Sequence, residues 1–188
     1  MKKINAAVFA SGSGSNFEAI MEFDDLICDI VVLVCDNPGA PVLEKAERYG
    51  VPSVVFNAKE YSSKANYETL LVRELREHGV EWIFLAGYMR IVGNTLLSTY
   101  ENRIVNIHPS LLPSFPGKDA IGQAYQAGVD ETGVTVHFID EGIDTGPIIS
   151  QEPVQVNPED TKQTLKERIQ QVEHRLYPVT INQLLRNS

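Results

Sequence analysis

The chain has 188 residues, of which 43% are hydrophobic and 22% charged, and its formal net charge is −9 at pH 7. These values are typical of a globular protein and predict one domain over residues 1–188 rather than a disordered chain. The acidic balance, without a basic block, argues against sequence-independent binding to nucleic acid or to an anionic membrane. Because no apolar run reaches the roughly 18 residues of a membrane span, we expect a cytoplasmic protein.

Strands and helices alternate through the first two thirds of the chain. Apolar runs rich in β-branched residues predict strands at residues 4–10, 29–36, 53–56, 82–86 and 104–108. Apolar residues at helical spacing predict helices at residues 17–23, 41–50, 64–78, 94–100 and 119–127. This alternation predicts an α/β fold with a single doubly wound, mostly parallel twisted sheet and helices on both faces.

The last third of the chain departs from that alternation. A sixth strand is predicted at residues 132–139, and a seventh at residues 147–156 is expected at an edge of the sheet because it contains prolines. Thr161 is the predicted N-cap of a last helix that Pro178 breaks or kinks, and Asn94 is the predicted N-cap of the fourth helix.

A glycine-rich loop, residues 11–16 (SGSGSN), joins the first strand to the first helix. Free backbone N–H groups at such a junction favour an anion, and we predict that a single phosphate binds at Gly14, Ser15 and Asn16. A tight turn without a ligand is the simpler alternative. A dinucleotide site would need a third glycine where Phe17 stands, although Asp36 lies near the place of a ribose-binding acid.

A stiff loop, residues 109–117 (PSLLPSFPG), follows the fifth strand. Its three prolines exclude both a helix and a central strand. Asn106 and His108 lie two residues apart at the end of that strand, so both side chains point to the same side. A charged histidine there could stabilise an oxyanion or protonate a leaving amine. Ser110 is not a predicted nucleophile because no GxSxG turn is present.

An acidic loop, residues 140–146 (DEGIDTG), contains the best partner for His108. Asp144 is the candidate because Gly146 beside it permits close backbone approach, and a carboxylate would hold the ring and favour its cation. The other histidines, His78, His137 and His174, are interpreted as structural. No metal site is predicted because ligand spacing is absent. Since ligands bind beyond the carboxyl ends of strands, we expect the strand-end loops to line one cleft.

The proline-containing segment at residues 106–117 (NIHPSLLPSFPG) resembles the signature of the 10-formyltetrahydrofolate-dependent formyltransferases. Further similar segments lie at residues 11–16, 85–91 (LAGYMRI), 132–137 (TGVTVH), 140–149 (DEGIDTGPII) and 173–178 (EHRLYP). The resemblance covers essentially the whole chain and implies the doubly wound fold. It implies transfer of a formyl group from 10-formyltetrahydrofolate to the amino group of 5′-phosphoribosylglycinamide, the third step of purine synthesis. It implies small-molecule substrates, no metal, no nucleic acid or membrane, and is compatible with a homodimer.

The resemblance also implies three groups of site residues. In the catalytic group, Asn106 and protonated His108 hold the oxyanion, while Asp144 keeps the histidine charged and helps proton transfer. The nucleotide-binding group comprises Gly14, Ser15 and Asn16 at the 5′-phosphate, with Gln170, Gln171, Val172 and Glu173. The folate-binding group comprises Lys64, Met89, Arg90, Ile91, Val92, Asn106, Asp140, Glu141, Gly142, Ile143 and Asp144. Lys64 stands where many members carry an arginine, and a lysine cannot make the planar two-pronged contact.

Related and unrelated activities compete with this interpretation. The N-terminal half is expected to bind the nucleotide phosphate, and the C-terminal half to bind folate and carry catalysis. A formyltransferase acting on methionyl-tRNA shares the core but adds a tRNA-binding domain, and formyltetrahydrofolate hydrolase usually adds a regulatory one, so neither is expected here. A nucleotide-binding oxidoreductase and a noncatalytic folate or nucleotide carrier are the alternatives outside the family.

Overall fold

A computed structural model describes residues 2–188. Its strands form one sheet in the order β3-β2-β1-β4-β5-β6-β7. The strands are β1 (Ile4–Ala10), β2 (Cys28–Cys35), β3 (Ser53–Val55), β4 (Trp82–Leu85), β5 (Ile104–His108), β6 (Glu131–Phe138) and β7 (Ile148–Gln155). β1 pairs in parallel with β2 and β4, β2 pairs in parallel with β3, and β6 pairs antiparallel with β7. The predicted mostly parallel sheet is therefore confirmed, with β7 at its edge.

The helices fall where the apolar spacing predicts them. They are α1 (Ser15–Met21), α2 (Val42–Arg48), α3 (Lys64–Glu77), α4 (Asn94–Thr99), α5 (Ala120–Ala127) and α6 (Lys162–Arg186), with a short 3₁₀ helix at Ala58–Glu60. The chain divides into two compact units, the first ending at Val105 and the second running from Asn106 to Ser188.

The first unit is built around β1. Residues 6–10 of this strand are completely buried, as expected for a parallel strand covered on both faces. Phe17 and Ile20 bury the inner face of α1, and the ring of Phe9 packs edge-on against Tyr88 at 5.2 Å. The glycine loop therefore leaves a buried strand and enters a helix anchored by its apolar face.

The long helix α6 supplies much of the core of the second unit. Leu165, Ile169, Tyr177 and Ile181 on this helix are completely buried. Pro178 was predicted to break or kink this helix, and the break is wrong because the helix continues to Arg186. A proline inside a helix costs roughly 3 kcal/mol, and we attribute the continuity to the apolar burial on both sides of it.

The N-caps show where local sequence is sufficient and where it is not. Thr161 caps α6 as predicted and forms a reciprocal capping box with Thr164. Asn94 does not cap α4: it lies inside the helix, and Gly93 occupies the N-cap position. The Glu68 carboxylate on α3 instead accepts the N–H groups of Gly93 at 2.8 Å and Leu96 at 3.5 Å. A residue distant in sequence replaces the local cap.

Candidate active site

His108 and Asp144 are close neighbours in the second unit. His108 ends β5 and is only 5% exposed. Its Nδ1 lies 3.5 Å from Asp144 Oδ2, and the Asp144 side chain is 12% exposed. Asn106 is half-buried two residues earlier on the same strand, with its side chain on the same side as that of His108. The second unit therefore contains all three residues of the predicted catalytic group.

Both nitrogens of the His108 ring face an acceptor. Nε2 lies 2.9 Å from the carbonyl oxygen of Phe115, and Nδ1 faces the Asp144 carboxylate. A neutral imidazole has one N–H donor and the imidazolium has two. An imidazolium at this position would have an N–H directed at each of the two neighbours, and it would be the form that attracts a developing oxyanion.

The loop after β6 holds the Asp144 carboxylate in place. Asp144 has a φ of 56°, in the left-handed region, and its Oδ2 accepts the Gly117 N–H at 2.8 Å. Asp140 Oδ1 accepts the Thr145 hydroxyl at 2.6 Å and the Gly142 N–H at 2.9 Å, and these bonds lower the pKa of Asp140. The loop is thus closed by its own side chains.

Gly146 allows this loop to return close to β6. A Cβ at Gly146 would lie 1.8 Å from the carbonyl oxygen of Phe138. The Phe138 N–H also donates to the Pro147 carbonyl at 2.9 Å. The close backbone approach expected beside Asp144 is therefore present, and any side chain at Gly146 would displace the loop that holds the carboxylate.

His137 lies on the other side of the same carboxylate. Its ring is completely buried, Nδ1 donates to the Phe138 carbonyl at 2.9 Å, and Nε2 lies 3.7 Å from Asp144 Oδ1. Burial lowers the pKa of His137. The sequence interpretation assigned this histidine only a structural role, and alternation in β6 gave no signal of its position beside Asp144.

Three polar side chains fix the proline loop beside His108. Thr135 Oγ1 donates to the Ser110 carbonyl at 2.7 Å and accepts the Leu112 N–H at 3.1 Å. Gln151 Nε2 donates to the Leu112 carbonyl at 2.8 Å and to Thr135 Oγ1 at 2.9 Å. Ser110 Oγ donates to the Ser114 carbonyl at 2.6 Å. Ser110 therefore has a structural use, and it is not aligned by a histidine as a nucleophile would be.

The glycine loop in the first unit has a specific backbone requirement at Gly14. This residue has a φ of 75°, and a Cβ there would lie 2.4 Å from Val42 Cγ2. Packing and backbone conformation therefore require glycine here whether or not a ligand binds. Asn16 gives better evidence for a ligand at this loop, because its Oδ1 is buried without a hydrogen-bond partner among residues 2–188. Such an atom requires a water or a ligand.

Residues 87–93, after β4, form an irregular segment with apolar side chains on its outside. Met89 is 68% exposed and Ile91 is 56% exposed, whereas Val92 is buried. Arg90 Nε donates to Asp36 Oδ2 at 2.8 Å, so this guanidinium is already paired. Lys64 Nζ donates to the Ile91 carbonyl at 2.8 Å. The structure thus places Lys64 beside the predicted folate-binding segment.

The predicted nucleotide-binding residues near Glu173 lie within α6. Glu173 is buried, Gln170 and Val172 are half-buried, and Gln171 is exposed. Residues three apart share a face of a helix, whereas adjacent ones do not. Gln170 and Glu173 can therefore meet one ligand, and Gln171 points elsewhere.

Within the described chain, no group of three or more His, Cys, Asp or Glu side chains could hold a metal ion. No helix in residues 2–188 is long and apolar enough to cross a membrane.

A histidine paired with an aspartate at the end of a strand in an α/β fold is an arrangement that enzymes use to transfer protons and stabilise charge. The chain belongs to the formyl transferase family, whose model matches residues 4–181. It is 52% identical to a phosphoribosylglycinamide formyltransferase of Bacillus subtilis (strain 168), covering 98% of this chain and 95% of that protein. The family predicted from the sequence is therefore confirmed.

Other relatives agree with this assignment. The chain is 43% identical to the trifunctional purine biosynthetic protein adenosine-3 of Gallus gallus, covering 95% of this chain but only 18% of that protein. It superimposes on glycinamide ribonucleotide transformylase 1 from Geobacillus kaustophilus with a TM-score of 0.95 and 58% identity, covering 98% of this chain and 100% of that one. The similarity extends to the whole fold.

Proposed function

We propose that this enzyme transfers the formyl group of 10-formyltetrahydrofolate to the amino group of 5′-phosphoribosylglycinamide. The products are formylglycinamide ribonucleotide and tetrahydrofolate, and the reaction serves purine synthesis. The observation that carries the proposal is the 3.5 Å pair of His108 and Asp144 in a formyl transferase that is 52% identical to a relative with this activity in its name. Residues 1–188 are proposed to work as one catalytic domain.

The reaction requires a site that stabilises negative charge. The amino nitrogen bonds to the formyl carbon, the bond from that carbon to folate N10 breaks, and a proton passes from the amine to N10. The formyl oxygen carries negative charge in between. Asn106 is proposed to donate an amide N–H to it, and His108 to act on it as a cation.

Asp144 and Phe115 have complementary proposed roles at His108. The Asp144 carboxylate favours the imidazolium and relays the amine proton. The Phe115 carbonyl occupies Nε2 at 2.9 Å in this structure. We propose that this N–H turns from the carbonyl to the formyl oxygen when charge develops there. The ring would then exchange one acceptor for another without losing its charge.

The nucleotide is proposed to bind through its phosphate and its glycinamide. The backbone N–H groups of Gly14, Ser15 and Asn16 would receive the 5′-phosphate, and Gln170 with Glu173 the glycinamide portion. The half-buried Asn16 side chain supports this role because its buried Oδ1 has no hydrogen-bond partner among residues 2–188. A half-turn of the amide exchanges Oδ1 for the Nδ2 donor, which would suit an anion.

The folate is proposed to bind at two segments. Residues 89–92 offer exposed apolar side chains to a flat heterocycle, and residues 140–144 lie next to the catalytic carboxylate. Asn106 would contact both the folate and the oxyanion. The proposal involves small-molecule substrates and no metal.

Two features disfavour a dinucleotide-dependent oxidoreductase. Phe17, which stands at the third glycine position, is completely buried in the core. Asp36, the candidate ribose-binding acid, is paired with Arg90 and its side chain is 7% exposed. A buried phenylalanine cannot replace the third glycine of a dinucleotide-binding loop, and the Asp36 carboxylate is already held by Arg90.

A coupled assay tests the proposal. The enzyme receives 10-formyltetrahydrofolate with the glycinamide ribonucleotide, with water alone, or with charged methionyl-tRNA, and tetrahydrofolate and the formylated acceptor are quantified. Formylated nucleotide and tetrahydrofolate in equal amounts are expected only with the nucleotide. Equal tetrahydrofolate release in water would instead identify a hydrolase, and binding without turnover would identify a carrier.

A further inference from the structure

We infer that Lys64 and Glu68 are positioning residues that hold the backbone of residues 91–93 in the conformation that receives the folate. The inference rests on the proposed function, because residues 89–92 are assigned to the folate only there.

The two side chains lie one turn apart on α3 and bind the same stretch of backbone. Lys64 Nζ donates to the Ile91 carbonyl at 2.8 Å. Glu68 Oε2 accepts the Gly93 N–H at 2.8 Å, and Oε1 lies 3.5 Å from the Leu96 nitrogen. We call these contacts the α3 clamp. It satisfies both a carbonyl and two N–H groups in a stretch that has no strand partner of its own.

The burial of Glu68 indicates that the clamp is a specific arrangement. The residue is 1% exposed, and burial raises the pKa of its carboxyl group. A buried carboxylate is costly unless its oxygens are hydrogen-bonded, and here the donors are backbone groups at the start of α4. Gly93 also allows the close approach, because a Cβ there would lie 2.6 Å from Glu68 Oε1 and 2.7 Å from Lys64 Cδ.

The other end of the same segment is held independently. The Ser11 N–H donates to the Gly87 carbonyl at 3.1 Å, and the Met89 N–H donates to Ser11 Oγ at 2.9 Å. The exposed side chains of Met89 and Ile91 therefore project from a backbone fixed on both sides. A fixed apolar surface binds a rigid ring with little ordering cost. Loosening the α3 clamp should reduce folate affinity.

Steady-state kinetics of Lys64→Met, Glu68→Gln, Glu68→Leu and the Lys64→Met/Glu68→Leu double variant test the clamp. Each is assayed with monoglutamyl and triglutamyl 10-formyltetrahydrofolate and with varied nucleotide. Lys64→Met and Glu68→Leu should raise the folate KM about tenfold, and Glu68→Gln should raise it less because it keeps one acceptor. The nucleotide KM should stay within about twofold of wild type. The increase in folate KM of the double variant should be smaller than the product of the two single-variant increases, because both residues hold the same segment.

A control variant separates loss of the α3 clamp from the general loss of a positive charge on this helix. Arg73→Met removes an exposed cation from the same helix and should leave the folate KM unchanged. A Lys64→Met effect that grows with the number of glutamates and disappears at high salt would overturn the inference in favour of tail pairing. Lys64→Met and Glu68→Gln keep roughly the shape of the wild-type side chains but remove their charges. An unchanged folate KM in both variants would also overturn the inference. Failure of the proposed function is distinct, since wild-type enzyme would then form no formylated nucleotide.

Discussion

Replacing Asp144 by asparagine removes the charge beside His108 while keeping the shape of the side chain. The Nδ1 to Oδ2 separation is 3.5 Å, and both side chains are mostly buried. At an effective dielectric constant of about 20, two unit charges at this distance attract by about 5 kcal/mol. This value is an upper limit on the loss, because the amide still forms hydrogen bonds and the ring can shift.

We expect kcat/KM of Asp144→Asn to fall about 10²- to 10³-fold, with most of the loss in kcat. The measurements are steady-state kcat/KM with varied substrate and single-turnover formyl transfer under saturating nucleotide and folate, with circular dichroism as a check of the fold. Asp140→Asn is the control from the same loop, because Asp140 bonds Gly142 and Thr145 and should affect the folate KM more than kcat. A kcat/KM for Asp144→Asn within threefold of wild type would refute the electrostatic argument.

Three further predictions follow from particular residues. Asn16→Asp should raise the nucleotide KM at least about tenfold more than Asn16→Ala, because its charge repels the phosphate; steady-state kinetics showing equal effects would count against the phosphate site. The raised pKa of buried Glu68 means that the folded protein binds this proton more tightly than the unfolded chain does. Wild type should therefore lose stability relative to Glu68→Gln as pH rises above 4.5. Urea unfolding of both proteins at pH 4.5 and 7.5 checks this sign, and the opposite trend would contradict it. Gly146→Ala should destabilise the protein by about 2 kcal/mol or more, because its Cβ would meet the Phe138 carbonyl; a urea midpoint equal to that of wild type would exclude this clash.

The sequence predicted the parts of the fold that depend on local pattern. The buried run of β2, the glycine loop before α1 and the cap at Thr161 are all signals carried by neighbouring residues. The catalytic candidates could also be predicted from the sequence, because prolines and a strand end mark His108 and a glycine marks Asp144.

The remaining features depend on contacts between distant residues. No local pattern indicates that Glu68 caps α4, and Asn94 was the wrong choice because a tertiary acceptor replaces the local one. The same holds for Thr135 and Gln151, which fix the proline loop from two other strands. His137 has the alternation of a strand residue, and only the fold brings it to Asp144. The unbroken α6 shows tertiary burial outweighing the local preference of Pro178.

The central claim is that a positively charged His108 gathers the negative charge of the formyl oxygen. Single-turnover formyl transfer by His108→Gln tests it most directly, because glutamine keeps a neutral amide donor but cannot carry the charge. The account predicts a rate about 10²- to 10⁴-fold below that of wild type, in a protein with an unchanged unfolding midpoint. A His108→Gln enzyme that transfers the formyl group within tenfold of the wild-type rate would contradict it.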